Sequence, residues 1–334
     1  MKEPISAEFG FGIHYFLASF NDTFYKSAYK DFKQFFVDNK DVKKWMICSD
    51  YAIGDKNKKN DVVTFTFYPY IVDHGLLSNM IKSLAKKDLK NTRDINKDFL
   101  TFIKEAPILN ISVILSRKRK LEYLSDERGL FIISIDKILE QLNYWVVSTP
   151  ENKEYFEKLV KKMNKLKILV KSPSTNLKII RDIEIISQLV AYLCLEISLI
   201  SDVDILGWFS DRDKLLEYKK SSFREPLIFD FIGNLYHVLC ENHSDTIDLK
   251  AKLVYGIPEQ EGAIWYDELN KIPDYICGTL ADYDIQKNEI SHQKFNTMLT
   301  SFFINNPKNL VFKLNFSKKE FSAQKLFFYE NTKG

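Results

Sequence analysis

Hydrophobic and polar positions along this chain repeat with two periods, and the switches between them predict an α/β order of elements. In residues 19–36, Phe20, Tyr25, Tyr29, Phe32 and Phe36 recur about once per helical turn, predicting an opening helix with Asn21 or Asp22 as its N-cap. Residues 44–51 (KWMICSDY) form an apolar run ending on an acid. A polar turn and a β-branched, aromatic run (VVTFTFYPY) follow, which predicts a hairpin. Helical spacing returns at 76–85 and 95–105, and Pro107 ends it before a third strand at 108–116. Residues 129–147 fit either a strand followed by a helix or one helix. Residues 152–167 fit a Lys-rich amphipathic helix, and 177–199 a long buried one. A strand at 203–209 comes next, then a helix opened by Pro226, an alternating strand at 247–257, a helix started by Pro273, and a terminal hairpin or sheet extension.

No Gly- or Pro-rich linker divides this order. The expected organisation is an N-terminal helical extension over 1–43 and one α/β domain over 44–334, with a helical insertion around 117–176. The 45% hydrophobic content, with 26 Phe and 17 Tyr, supplies a real core and excludes a disordered chain. The apolar stretch 185–200 is interrupted by Gln188 and Glu196 and falls short of the roughly 20 residues that span a bilayer. The N-terminus lacks the basic-then-apolar pattern of a leader, so a cytoplasmic protein with no membrane partner is expected. Cys48, Cys194, Cys240 and Cys277 are far apart in apolar surroundings, which predicts buried thiols rather than a zinc site or disulfides.

Candidate chemistry lies where apolar runs end on acids. Asp50 closes the first strand, Asp211 and Asp213 follow the central strand (WFSDRD), and Asp274 opens the predicted last helix (PDYICGTLAD). Each has a plain structural explanation: a strand-end or turn residue, a capped turn with Arg212 as ion partner, or a first-turn acid facing the helix dipole. Together they suit a divalent-metal site, because Mg²⁺ takes oxygen ligands and keeps several waters. Carboxylates brought together without cations would also raise one another's pKa.

The order of elements and these three motifs resemble the RNase H-like fold, or retroviral integrase superfamily. They resemble in particular a family of uncharacterised bacterial RNase H-like proteins. The resemblance spans roughly residues 45–284 and implies a mixed sheet flanked by helices, with helical insertions. It implies that Asp50, Asp211 and Asp274 hold Mg²⁺ or Mn²⁺, with Asp213 as an auxiliary acid. Tyr51 and Ala52 stand where that family has a glutamate and a small polar residue, and the acid expected before the central strand falls on Asp182 or Glu184.

Charge distribution bears on the partner. Residues 81–120 hold 11 Lys/Arg against 4 Asp/Glu, residues 151–181 hold 9 against 3, and residues 201–289 reverse to 9 against 18. Basic surface beside an acidic region suits an enzyme acting on nucleic acid. Arg117, Lys118, Arg119 and Lys120, with lysines 153–171, are the expected phosphate grip, and Tyr123 and Tyr155 the stacking residues. A solubilising lysine surface is the plain alternative. The pairs Asp73–His74 and His243–Asp245 read as solvated loops. The sequence has no GxSxG, GxxxxGK[ST] or GxGxxG, which argues against a serine-hydrolase elbow or a Gly-rich nucleotide loop. The expected function is metal-dependent cleavage of nucleic-acid phosphodiesters. Its rivals are a catalytically inactive RNase H-like module that binds nucleic acid or a protein partner, and an enzyme of another class acting on a small substrate.

Overall fold

The structure is a computed structural model and describes residues 10–122, 126–218, 223, 226–243, 251–258, 264–317 and 320–330. Seven strands form one mixed sheet: β1 (Lys44–Ala52), β2 (Asp61–Pro69), β3 (Leu109–Leu115), β4 (Ile205–Ser210), β5 (Lys252–Gly256), β6 (Asn309–Phe316) and β7 (Phe321–Leu326). Their spatial order is β5-β4-β1-β2-β3-β6-β7. β1, β2 and β3 form an antiparallel meander, β4 and β5 run parallel to β1, and β6 runs parallel to β3 with β7 antiparallel beyond it. This is an α/β protein.

Period-two alternation divides the core into two layers, one on each face of the sheet. Trp45 and Ile47 of β1 point to the larger layer, with α1 (Tyr15–Ser27), α2 (Tyr29–Asp38), α5 (Glu127–Ser148), α6 (Lys153–Lys171), α7 (Leu177–Ile200) and, after the short α8 (Lys214–Glu217), α9 (Leu227–Glu241). Met46 and Cys48 point the other way, to α3 (His74–Leu84), α4 (Lys97–Glu105), α10 (Asp267–Asp282) and α11 (Gln293–Met298). Asp50 shares the parity of Met46 and Cys48, so it faces α10. Over residues 129–147 one helix forms, α5, which pairs with α6 in a hairpin. α7 passes a composition test for a membrane span, but 83% of its apolar window is buried in the fold, as in a core helix. All four cysteines are buried free thiols.

Two boundaries differ from expectation. The opening helix starts at Tyr15 and breaks at Ala28, so Asn21 and Asp22 lie inside α1, and Asn21 accepts a hydrogen bond from Tyr192 Oη (2.9 Å). Pro273 lies inside α10, which begins at Asp267. An interior proline has no N–H for the carbonyl four residues back. Here that carbonyl, Leu269 O, accepts from the buried Tyr68 Oη of β2 at 2.7 Å. The helix continues because a strand supplies the missing donor.

Candidate functional site

Register builds the site. Ser49 of β1 pairs with Ser210 of β4, and Asp211 N donates to Ser49 O (2.9 Å). Asp50 and Asp211 therefore sit side by side at the carboxyl ends of adjacent parallel strands, whose spacing is about 4.8 Å. α10 crosses the same face and brings Asp274 to them. Beneath, on the opposite face, Tyr51 Oη meets Ser49 Oγ (2.8 Å) and accepts from Ser210 Oγ (2.9 Å), while Trp208 Nε1 donates to Ser49 Oγ (3.0 Å). These bonds tie the ends of β1 and β4 together.

Burial raises the Asp50 carboxyl well above the usual range, and the charges of Asp274 and Asp211 raise it further; a contact with Cys277 opposes this. Burial also raises Asp211, with the Arg212 N–H opposing and Asp267 adding to the shift. Asp274 is pushed up to about 6, first by burial, against the Leu89 N–H it accepts at 2.9 Å, and then by Asp88 and Asp211. A carboxyl whose folded pKa is raised binds protons more tightly in the folded state. Its stabilising contribution is complete below the ordinary aspartate range and disappears as pH rises through about 6. Metal-free protein is therefore expected to melt at higher temperature near about pH 5 than near about pH 7.5. Circular dichroism melts in chelator check this, and a flat or rising profile would contradict the crowding.

The three expected ligands thus share one face and feel one another's charge. Their chemistry, three hard oxygen donors, suits Mg²⁺ or Mn²⁺. Their present placement is looser than a closed ion site: among the described residues no three Asp, Glu, His or Cys side chains converge at metal-holding distance. Asp274 also gives one oxygen to the Leu89 N–H. Asp213 caps α8, accepting from Leu215 N (2.9 Å). Its charge neighbours are Lys214, Asp182 and Asp211. Asp267 opens α10, accepts from Ile264 N (3.0 Å) and lies 3.9 Å from Arg212. Asp282 accepts from Ser291 N (2.8 Å), away from Asp274.

No family model, curated protein or solved structure matches the chain.

The expected basic grip is largely corrected. Arg119 is 1% exposed, with its guanidinium held between Asp182 (2.8 Å) and Asp61 (2.5 Å), so it cannot reach a phosphate. Arg117 is exposed but donates to the Asp55 and Lys58 carbonyls of the β1–β2 turn. Lys120 pairs with Glu122 (2.8 Å), while Lys118 is exposed. The α6 lysines lie on the far side of the sheet from Asp50, and Lys153, Lys158, Lys162 and Lys167 pair with Glu157, Glu154, Asp230 and Asp136. Tyr155 Oη accepts from Asn234 Nδ2 on that far side (2.9 Å), and Tyr123 lies outside the described residues. Asp73 caps α3, with His74 beside it at 3.8 Å. His243 bonds Leu239 O, and Asp245 lies outside the described residues.

A different segment brings cations to the acids. The turn Leu89–Asn91 lies against α10, and Lys90 opposes the upward shift of Asp274. Lys86, Lys87 and Lys90 are all exposed. The basic excess of residues 81–120 includes them, but only the fold places Lys90 beside Asp274.

Proposed function

We propose that this chain is a divalent-metal-dependent nuclease of the RNase H-like fold, cleaving nucleic-acid phosphodiesters in the cytoplasm. One observation carries the reading: Asp50, Asp211 and Asp274, from three distant segments, share one face at the carboxyl ends of β1 and β4, where burial raises the pKa of each and repulsion within the group adds to the shifts of Asp50 and Asp274. Perturbed acids in a shared place are a feature of functional sites. The fold reading draws support from the sheet, which is mixed and flanked by helices on both faces, as the resemblance implies.

On this reading Asp50, Asp211 and Asp274 hold Mg²⁺ or Mn²⁺. An ion held there would supply an activated water and stabilisation of the departing oxygen. The chain's own part is to fix Asp50 against Asp211 through the strand register and the Tyr51–Ser49–Ser210 bonds, and to offer Lys86, Lys87 and Lys90 to the phosphates. Incubation with single-stranded and duplex DNA and RNA in Mg²⁺, Mn²⁺ or chelator tests the proposal. Cleavage only with metal supports it, and no cleavage of any substrate overturns it.

A second reading is an inactive module that binds nucleic acid or a protein partner. The looseness of the acidic group, with Asp274 bonded to Leu89 N, favours it. Strand binding without cleavage would select this reading.

A further inference from the structure

Trp265 stands apart from two of the chain's other tryptophans. Trp45 and Trp208 are 1% and 2% exposed, whereas Trp265 keeps 50% of its surface in water. Its ring is nonetheless fixed. Phe209, His74 and Tyr266 meet it edge-on, with centroids 5.0, 4.9 and 5.2 Å away. Phe209 and Tyr266 are buried, so the indole is mounted on the core, with His74 at the start of α3 as a side support. A large aromatic surface held rigid in water has already lost the freedom that binding would otherwise cost.

Its position ties it to the acids. Phe209 precedes Asp211 by two residues on the same face of β4, about 7 Å along the strand. Asp267, two residues after Trp265, lies 3.9 Å from Arg212 and raises the Asp211 carboxyl. From there α10 runs to Asp274, about 10 Å along its axis. At Asp274 the exposed Lys90 opposes the carboxyl's upward shift. A fixed aromatic just before α10, carboxyls along its start and middle, and a basic turn against it thus follow one another.

We propose that Trp265 is a stacking platform for an unpaired nucleobase, and that the substrate class of the site is single-stranded nucleic acid. This rests on the nuclease or strand-binding reading of the carboxylate face and adds its specificity. Bases in a duplex already spend both faces on their neighbours, whereas a single strand can place a base on the indole while its phosphates continue past the carboxyls to Lys90.

The test is made without metal or turnover, so it is independent of catalysis. The full-length Asp50→Asn protein in chelator is titrated with a short labelled oligothymidylate and with the same strand paired to oligoadenylate, reading anisotropy and tryptophan emission. Tighter binding of the single strand with quenched emission is expected. Adding Trp265→Ala should weaken single-strand binding by about 5- to 150-fold, the worth of one stacked base, and leave duplex binding unchanged. Trp265→Phe should retain most of the affinity, which separates loss of stacking from loss of fold. Equal affinity for the two forms, or an alanine variant that binds like its parent, overturns the proposal. Unchanged emission on strand addition also overturns it. Metal-dependent cleavage that survives Trp265→Ala with single-strand preference intact would uphold the nuclease reading while removing this one.

Discussion

Asp50→Asn is expected to abolish metal-dependent cleavage and, in the same protein, to raise the melting temperature of the metal-free form. Both effects have one cause. Asp50 sits where burial and two neighbouring carboxylates oppose its charge, so ionising it costs the fold stability. Asparagine keeps the shape and removes the charge. The lost group is also a direct metal ligand on the proposed reading. Loss of an outer-shell partner of a ligand costs about 10- to 100-fold in metal affinity or activity, and loss of the ligand itself should exceed that. A stabilised but inactive variant is the mark of a residue kept for function at the expense of stability. Unchanged cleavage, or a lower melting temperature without metal, would remove Asp50 from the site.

Arg119→Ala is expected to cost about 3–5 kcal/mol of stability, among the largest single-residue effects in the chain. The guanidinium joins Asp61 at the start of β2 to Asp182 on α7, and all three are 1% exposed. Removing it leaves two buried carboxylates without the cation bonded to them, with only Arg181 and Lys178 acting on Asp182 through charge. Asp182→Asn in the same background should therefore recover part of the loss. Urea unfolding of the three proteins gives the comparison. If Arg119 instead gripped nucleic acid, the alanine variant would fold normally and bind strands weakly, and its salt dependence would fall by about one counterion.

These two residues mark how far the sequence was legible. Asp50 could be read because its signal is local. An apolar strand ends on an acid, a polar turn follows, and a β-branched strand completes the hairpin, so the end of β1 and the acid placed there follow from residues 44–70 alone. Arg119 could not, because in SRKRK it looks like its solvated neighbours. Only the meeting of β2, the turn after β3 and α7 places it under the surface. Pro273 misled for the same reason. A proline usually marks a helix start, and here Tyr68, from a strand far away in sequence, supplies the missing donor. Asp213 carries the chemistry of a ligand and the local bonds of an N-cap, and spacing alone does not separate the two. Lys90 and Trp265 gave no local signal, since their relation to the acids exists only once α10 crosses the sheet.

The claim beneath all of this is that Asp50, Asp211 and Asp274 form one cation-binding unit. Melting of wild-type protein at about pH 7.5, with Mn²⁺ raised from zero to several millimolar, tests it most directly, since a ligand that binds the folded state raises the transition by mass action. A saturable rise of a few degrees or more, absent from Asp50→Asn and Asp274→Asn, is predicted. A wild-type transition that does not move across that range, or that moves equally in all three proteins, would contradict it.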